Sequence, residues 1–224
     1  MILTIRGRES GEKKKVRAQK IESLLRKEYP SPAIALTHSD PLQLLIAVIL
    51  SAQCTDVRVN MVTPALFTKY KTARNFAEAN QAEIEREIHS TGFFRNKAKN
   101  IIGCCKALVE NHKGKVPSSM EELVQLPGVG RKTANCILGG AFGIPAGIVV
   151  DTHVMRLATR LGLTQNSQPD KIEADLCDLL ARKDWIHFGN AVIHHGRNIC
   201  NARNPQCAEC VLNKLCPSAE YPEK

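Results

Sequence analysis

Apolar positions recur along this chain at helical spacing, and period-2 alternation is scarce. Residues 12 to 28 are basic and put Val16, Ile21, Leu24 and Leu25 on one face. Pro30 and Pro32 end that segment, because the residue before a proline avoids helical dihedrals. Asp40-Pro41 reads as a helix start, an acidic N-cap followed by proline at the first helical position. From Leu42 to Leu50 the helix is apolar almost all round, which predicts a central place in the core. Ser51 to Asp56 is a polar break where Thr55 or Asp56 caps a new helix, and Thr63-Pro64 restarts helix once more. Residues 81 to 89 and 95 to 112 carry two further helical patterns around Thr91-Gly92-Phe93-Phe94, the second closed by Gly114 and Pro117. Ser118 to Glu122 has capping-box spacing, so a short helix leads into Leu126-Pro127-Gly128-Val129-Gly130. A helix from about Lys132 to Ala141 follows, with Gly143 and Pro145 beyond it. Gly147 to Val150 is β-like but short, and serves as an extended connector into a helix from Thr152 to Leu161. Pro169 opens another helix, and Asp184 caps the last, which contains Trp185, Phe188, Val192 and Ile193. The predicted fold class is all-α.

Composition narrows the partners. A chain of 224 residues suits one large domain or two small ones and can bury a core without staples. A net charge of +9 favours a polyanion, either nucleic acid or an anionic membrane surface. Lys13-Lys14-Lys15 reads as a solvated face rather than a specific site. No run approaches the roughly 18 apolar residues of a membrane span, and the N-terminal segment is too polar for a secretory signal. The expected compartment is reducing, so nine cysteines do not form a disulfide framework. Cys54, Cys104, Cys105, Cys136 and Cys177 are scattered within helical patterns and read as small core residues.

The remaining four have the spacing Cys200-x6-Cys207-x2-Cys210-x5-Cys216. Four thiolates so close in sequence can close around one metal centre. The wide first gap is unusual for structural zinc, and the run does not match common ferredoxin spacings. Spacing alone admits both zinc and an iron–sulfur cluster. His194-His195 precedes this loop and is expected to pack rather than bind metal. His153 is expected to be a hydrogen-bonded structural residue.

Leu126 to Ala134 carries chemistry of a different kind. Gly128 and Gly130 allow a tight turn and a close approach to the backbone. The helix that follows offers unpaired N–H groups and a positive dipole end, a ready phosphate site, and Arg131 and Lys132 add charge there. The order helix, Pro-Gly-x-Gly hairpin, helix resembles the helix-hairpin-helix DNA-binding motif. An ordinary turn between packed helices is the plainer reading of the glycine pair by itself.

The hairpin, the segment Val150-Asp151-Thr152-His153 and the terminal cysteine pattern occur together in this order. As a set they resemble the endonuclease III family, bacterial DNA glycosylases with lyase activity. Leu44 to Gln53 and His194-His195-Gly196-Arg197 are similar to the family as well, and the likeness runs from about residue 18 to 218. The resemblance implies a six-helix barrel domain at 34–145 and an iron–sulfur domain made of 1–33 with 146–224. DNA would lie in the cleft between them, with Lys132 and Asp151 at its mouth. It implies a [4Fe–4S] cluster on Cys200, Cys207, Cys210 and Cys216. The family's nucleophilic lysine aligns with Lys132 and its essential carboxylate with Asp151.

The residue chemistry agrees. An amine attacking C1′ of the sugar forms a Schiff base that permits β-elimination of the 3′ phosphate, which a hydroxyl or water cannot do. The positive helix end and Arg131 both favour the neutral amine that attack requires. Asp151 is suited to accept a proton or to stabilise oxocarbenium charge, and its place before Thr152 also suits a helix cap.

Removing a base from duplex DNA leaves a gap that something must fill. The resemblance puts Gln53 in the wedge position and makes Phe93 the inserting residue of a second loop; core packing is the alternative for Phe93 and Phe94. Arg203 and Lys214 in the cysteine loop, and Arg197 before it, are candidates for phosphate contact. The implied activity is base-excision repair of oxidised pyrimidines by a monomer on damaged or abasic duplex DNA, in the bacterial cytoplasm at the nucleoid. Two other readings differ. The family's adenine-mismatch glycosylase lacks the lysine, carries a glutamate where Ala47 stands here, and has a long C-terminal recognition domain not seen after Cys216. A non-catalytic DNA-binding protein would have no reason to keep both Lys132 and Asp151.

Overall fold

A computed structural model of the chain describes residues 9 to 219. Parts of the expected domains, residues 1–8 and 220–224, lie outside the described residues. In chain order the helices are α1 (Gly11–Glu28), α2 (Pro41–Ser51), α3 (Asp56–Lys69), α4 (Ala73–Ala77), α5 (Gln81–Ile88), α6 (Phe94–His112), α7 (Met120–Leu123), α8 (Arg131–Phe142), α9 (Thr152–Arg160), α10 (Pro169–Leu179) and α11 (Trp185–Asn198). No strand occurs among the described residues, so the all-α expectation holds. No helix among them is long and apolar enough to cross a membrane.

The chain divides into two compact units. One is continuous, Ile34–Ala146; the other joins the described residues up to Ala33 with those from Gly147 onward. The continuous unit is built around α2. Asp40 caps that helix by accepting from the Gln43 amide, and Leu44, Leu45, Ile46 and Leu50 are wholly buried. Leu66, Phe76, Ile84, Ile88, Ile101, Leu108 and Ile137 complete the core. Each such side chain stabilises the unit by about 1.5–3 kcal/mol relative to exposure. Gly140 brings α8 against this core, since a Cβ there would run into Ile34 and Leu44.

The discontinuous unit packs Ala18, Ile21 and Leu25 of α1 with Val154 and Leu157 of α9, Ile172 and Leu176 of α10, and Phe188, Ala191 and Val192 of α11. Val16, expected on the inner face of α1, is 43% exposed. The buried stripe instead takes in Ala18 and Glu22, whose carboxylate pairs with Arg26.

Three local expectations need correction. Thr63-Pro64 does not restart helix, because α3 runs through Pro64 from its Thr55 cap; packing of the helix outweighs the one amide the proline lacks. Gly114 closes α6 as expected, with φ 76° and its amide donating to the Leu108 carbonyl at 2.8 Å, and Lys113 before it is left-handed too, φ 55°. Asp184 makes no side-chain cap to α11, because its carboxylate pairs with Arg26 at 3.0 Å. Cys54 lies in the turn after α2 rather than within a helix. The short helix α4, capped by Thr72, had no periodic signal long enough to read.

Candidate active site and cysteine cage

The hairpin between α7 and α8 forms as its residues dictate. Ser119 caps α7 through the Glu122 amide. Leu126 is buried, and its carbonyl accepts from the Val129 amide at 3.0 Å, closing the turn. Gly128 has φ 78°, and a Cβ there would lie 2.9 Å from Asn100, so both conformation and space require glycine. Gly130 has an ordinary φ of −93°, and a Cβ placed there would meet nothing within 4 Å. As N-cap of α8 it supplies no side-chain hydrogen bond, which leaves the first-turn amides to other partners. Open space beside a helix N-terminus whose cap residue has no side chain is the arrangement that receives a phosphate.

Arg131 and Lys132 are exposed in that first turn. One turn on, burial pushes the Cys136 thiol up to about 11, with the Lys132 charge pulling it back. That thiol is no competing nucleophile near neutral pH. Gly128, Gly130, Arg131 and Lys132 are therefore gathered at one hairpin of the continuous unit.

Gln53 and Phe93 belong to the same unit and share an uncommon backbone. With Lys113 they are the non-glycine residues of positive φ among the described residues: 52° at Gln53 and 48° at Phe93. Left-handed backbone at a non-glycine residue costs on the order of 1–2 kcal/mol and persists where its surroundings enforce it. Both side chains are exposed, Phe93 by 62%. Phe93 is therefore no core residue. Its neighbour Phe94 is partly buried against the core, lying against His89 with ring centroids 4.5 Å apart.

The discontinuous unit holds Asp151, the four cysteines, Arg203 and Lys214. Asp151 caps α9: its Oδ1 accepts from the amides of both His153 and Val154 at 2.8 Å. Capping thus occupies one oxygen, and Oδ2 accepts from neither amide. His153 Nδ1 lies 3.2 Å from Arg156, the structural role expected of it.

All four terminal cysteines line one cavity of about 330 Å³, shared with Arg160, His195 and Arg203. No three His, Cys, Asp or Glu side chains among the described residues converge on a single ion. Burial pushes the Cys210 and Cys216 thiols up, and their sister cysteines add to it.

Three arginines that the sequence did not mark hold this cage. Arg17 donates to the carbonyls of Leu161 (2.6 Å) and Leu215 (3.2 Å). Arg156 donates to the carbonyls of Gly196 and Cys200. Arg160 donates to Asn201 and Ala202 and reaches Cys200 Sγ at 3.2 Å. His195 is buried, as packing predicts, but it also contacts the cage: Nε2 lies 3.2 Å from Cys210 Sγ and Nδ1 3.2 Å from the Tyr29 hydroxyl. A charged residue inside an amphipathic helix was the available signal for the arginines, yet most such residues are solvated. Arg203 and Lys214 are exposed in the cysteine loop.

Comparison with known proteins adds independent findings. Residues 46–182 match the HhH-GPD superfamily base excision DNA repair protein model. The chain is 56% identical to an endonuclease III of Synechocystis sp. over 92% of its length and 94% of that protein's. A solved non-covalent endonuclease III–DNA complex superposes with a TM-score of 0.87 at 41% identity, covering 92% of this chain and 96% of that one. An endonuclease III trapped as a covalent intermediate with DNA matches with the same TM-score of 0.87 and 41% identity, over the same shares of the two chains.

Proposed function

Because this chain belongs to the HhH-GPD superfamily of base excision DNA repair proteins, we propose that it is a bifunctional DNA glycosylase and AP lyase. It removes oxidised pyrimidines from duplex DNA and cuts the strand at the abasic site left behind. The observation that carries this reading is an exposed lysine, Lys132, in the first turn of a helix that follows a Pro-Gly-x-Gly hairpin, in a chain 56% identical to an endonuclease III.

The chemistry assigns each residue a role. Uncapped amides next to Gly130, with the Gly128 turn and Arg131, receive a backbone phosphate and fix the strand. The Lys132 amine attacks C1′ of the damaged nucleotide, and the C1′–base bond breaks, its electron pair leaving with the base. Asp151 stabilises the cationic sugar in that step and accepts a proton from the attacking amine. The sugar ring opens to a Schiff base between Lys132 Nζ and C1′. Loss of a C2′ proton then expels the 3′ phosphate by β-elimination, and water hydrolyses the imine to restore the amine. Asp151 does two jobs, since its Oδ1 caps α9 while Oδ2 accepts from neither cap amide.

Gln53 and Phe93 fill the space of the extruded base. An exposed aromatic on strained backbone is the kind of apolar wedge that enters a base step. Cys200, Cys207, Cys210 and Cys216 hold a [4Fe–4S] cluster, which orders the loop carrying Arg203 and Lys214 for contact with phosphate. The two units correspond to a helical barrel domain and a cluster domain.

Borohydride trapping tests the lyase. Incubation with abasic duplex DNA followed by reduction is expected to yield a covalent adduct, and Lys132→Ala to abolish it while leaving binding largely intact. Wild-type protein that binds abasic DNA without forming an adduct would refute the bifunctional reading.

A further inference from the structure

Lys97 is a charged side chain in a place where charge is costly. It is 4% exposed, and burial moves its amine below the ordinary lysine range. Its Nζ donates to the carbonyl of Thr91 at 2.8 Å. That carbonyl belongs to the turn that ends in Gly92, φ 70°, and Phe93, φ 48°. A helix start is usually fixed by a polar N-cap, but α6 begins on left-handed Phe93 with no side-chain cap. The bond from Lys97 therefore ties the turn to its helix from the inside. Thr91 adds a second tie, its hydroxyl donating to the Ile88 carbonyl at 2.8 Å.

We propose that Lys97 is a positioning residue: its buried amine holds the Thr91–Phe93 turn in the shape in which Phe93 enters a duplex. An apolar side chain in its place would avoid the desolvation cost but would leave the Thr91 carbonyl buried without its donor. The turn would then relax from its left-handed backbone, and Phe93 would lose its aim. This inference rests on the wedge role of Phe93 proposed above.

The test compares two substrates for the same chemistry, an abasic site in duplex DNA and the same site in a single strand, where no stack has to be opened. Single-turnover strand cleavage is measured for wild type, Phe93→Ala, Lys97→Met, Lys97→Gln and Lys97→Arg, with thermal melting as the folding control. A 2-aminopurine opposite the site reports unstacking of the duplex. Lys97→Met is expected to slow duplex cleavage by about tenfold or more, the scale of one lost charged hydrogen bond. It should lower the 2-aminopurine signal and leave single-strand cleavage within about twofold. Lys97→Arg should recover most of the duplex rate. Lys97→Gln, which keeps a donor, serves if the methionine variant does not fold.

Equal losses on both substrates, or none on the duplex, overturn the positioning role. If Phe93→Ala shows the duplex-selective loss and Lys97→Met does not, the wedge stands and this inference falls. If Phe93→Ala shows no such loss, the wedge reading and the inference fall together, while the Lys132 chemistry is judged separately by trapping.

Discussion

The two units of this chain reach order by different means. Ile34–Ala146 is one stretch of chain, and consecutive helices bury an apolar core around α2. The other unit draws on two distant stretches, and its last segment, from Ile199 to Ala219, has one 3₁₀ turn, Asn213–Leu215, and no α-helix. Its order comes from polar ties: Arg17, Arg156 and Arg160 each hold backbone carbonyls of the loop or its neighbours. Apolar packing suits a region that must hold its shape alone. Carbonyl clamps suit a loop with no α-helix of its own to pair its backbone.

The strongest way to break this contrast is to empty the cage. Cys207→Ala is expected to abolish the broad visible absorbance of a bound iron–sulfur centre and to expose residues 199 to 219 to limited proteolysis. The helical circular dichroism of the continuous unit should survive. Retained absorbance and an intact loop would mean that the arginines suffice. Next in size is a core deletion: Leu45→Ala, wholly buried in α2, should cost about 2–5 kcal/mol. Denaturant melts should show that loss in the transition of the continuous unit, with cluster absorbance lost in a separate step.

How much of this was legible in the sequence differs between the units in the same way. Helices with a polar cap and an unbroken apolar face, such as Asp40 with α2, were readable because both signals are local. Lys132, Asp151 and the four terminal cysteines could be proposed from sequence because each sits in a motif. Arg17, Arg156, Arg160 and Lys97 could not. Their partners are carbonyls, which every residue supplies, so no spacing pattern marks them. Phe93 and Phe94 are adjacent aromatics, and only the left-handed backbone at Phe93 separates the exposed ring from the packed one.

The hairpin glycines sharpen the contrast at a smaller scale. Gly128→Ala meets both a positive φ and Asn100, and should destabilise by about 1–3 kcal/mol. Gly130→Ala has room and an ordinary φ, so its melting temperature should stay close to wild type. Its affinity for DNA, measured by fluorescence anisotropy, should fall, because the new methyl group stands where a phosphate approaches. Equal thermal losses in the two variants would contradict the open space above Gly130.

The smallest effect on stability is expected at Asp151. Asp151→Asn keeps a capping oxygen and should melt within about 0.5 kcal/mol of wild type, whereas Asp151→Ala should cost about 1 kcal/mol. Strand cleavage should fall steeply in both. An asparagine variant with full activity would leave Asp151 as a cap alone.

The split composition of the discontinuous unit has a consequence for biosynthesis. Helix α1 leaves the ribosome long before α10 and α11, which bury its Ala18, Ile21 and Leu25. At about 5–20 residues per second that interval is roughly 10–30 s. The continuous unit can fold within it, while α1 waits with an apolar stripe uncovered and a strongly basic face in water. Cys200, Cys207, Cys210 and Cys216 emerge after all eleven α-helices of the described residues, so the cluster proposed for them would be assembled late in maturation. A nascent chain stalled before that point carries a finished continuous unit and an orphaned first helix, which is the form most open to chaperones and proteases.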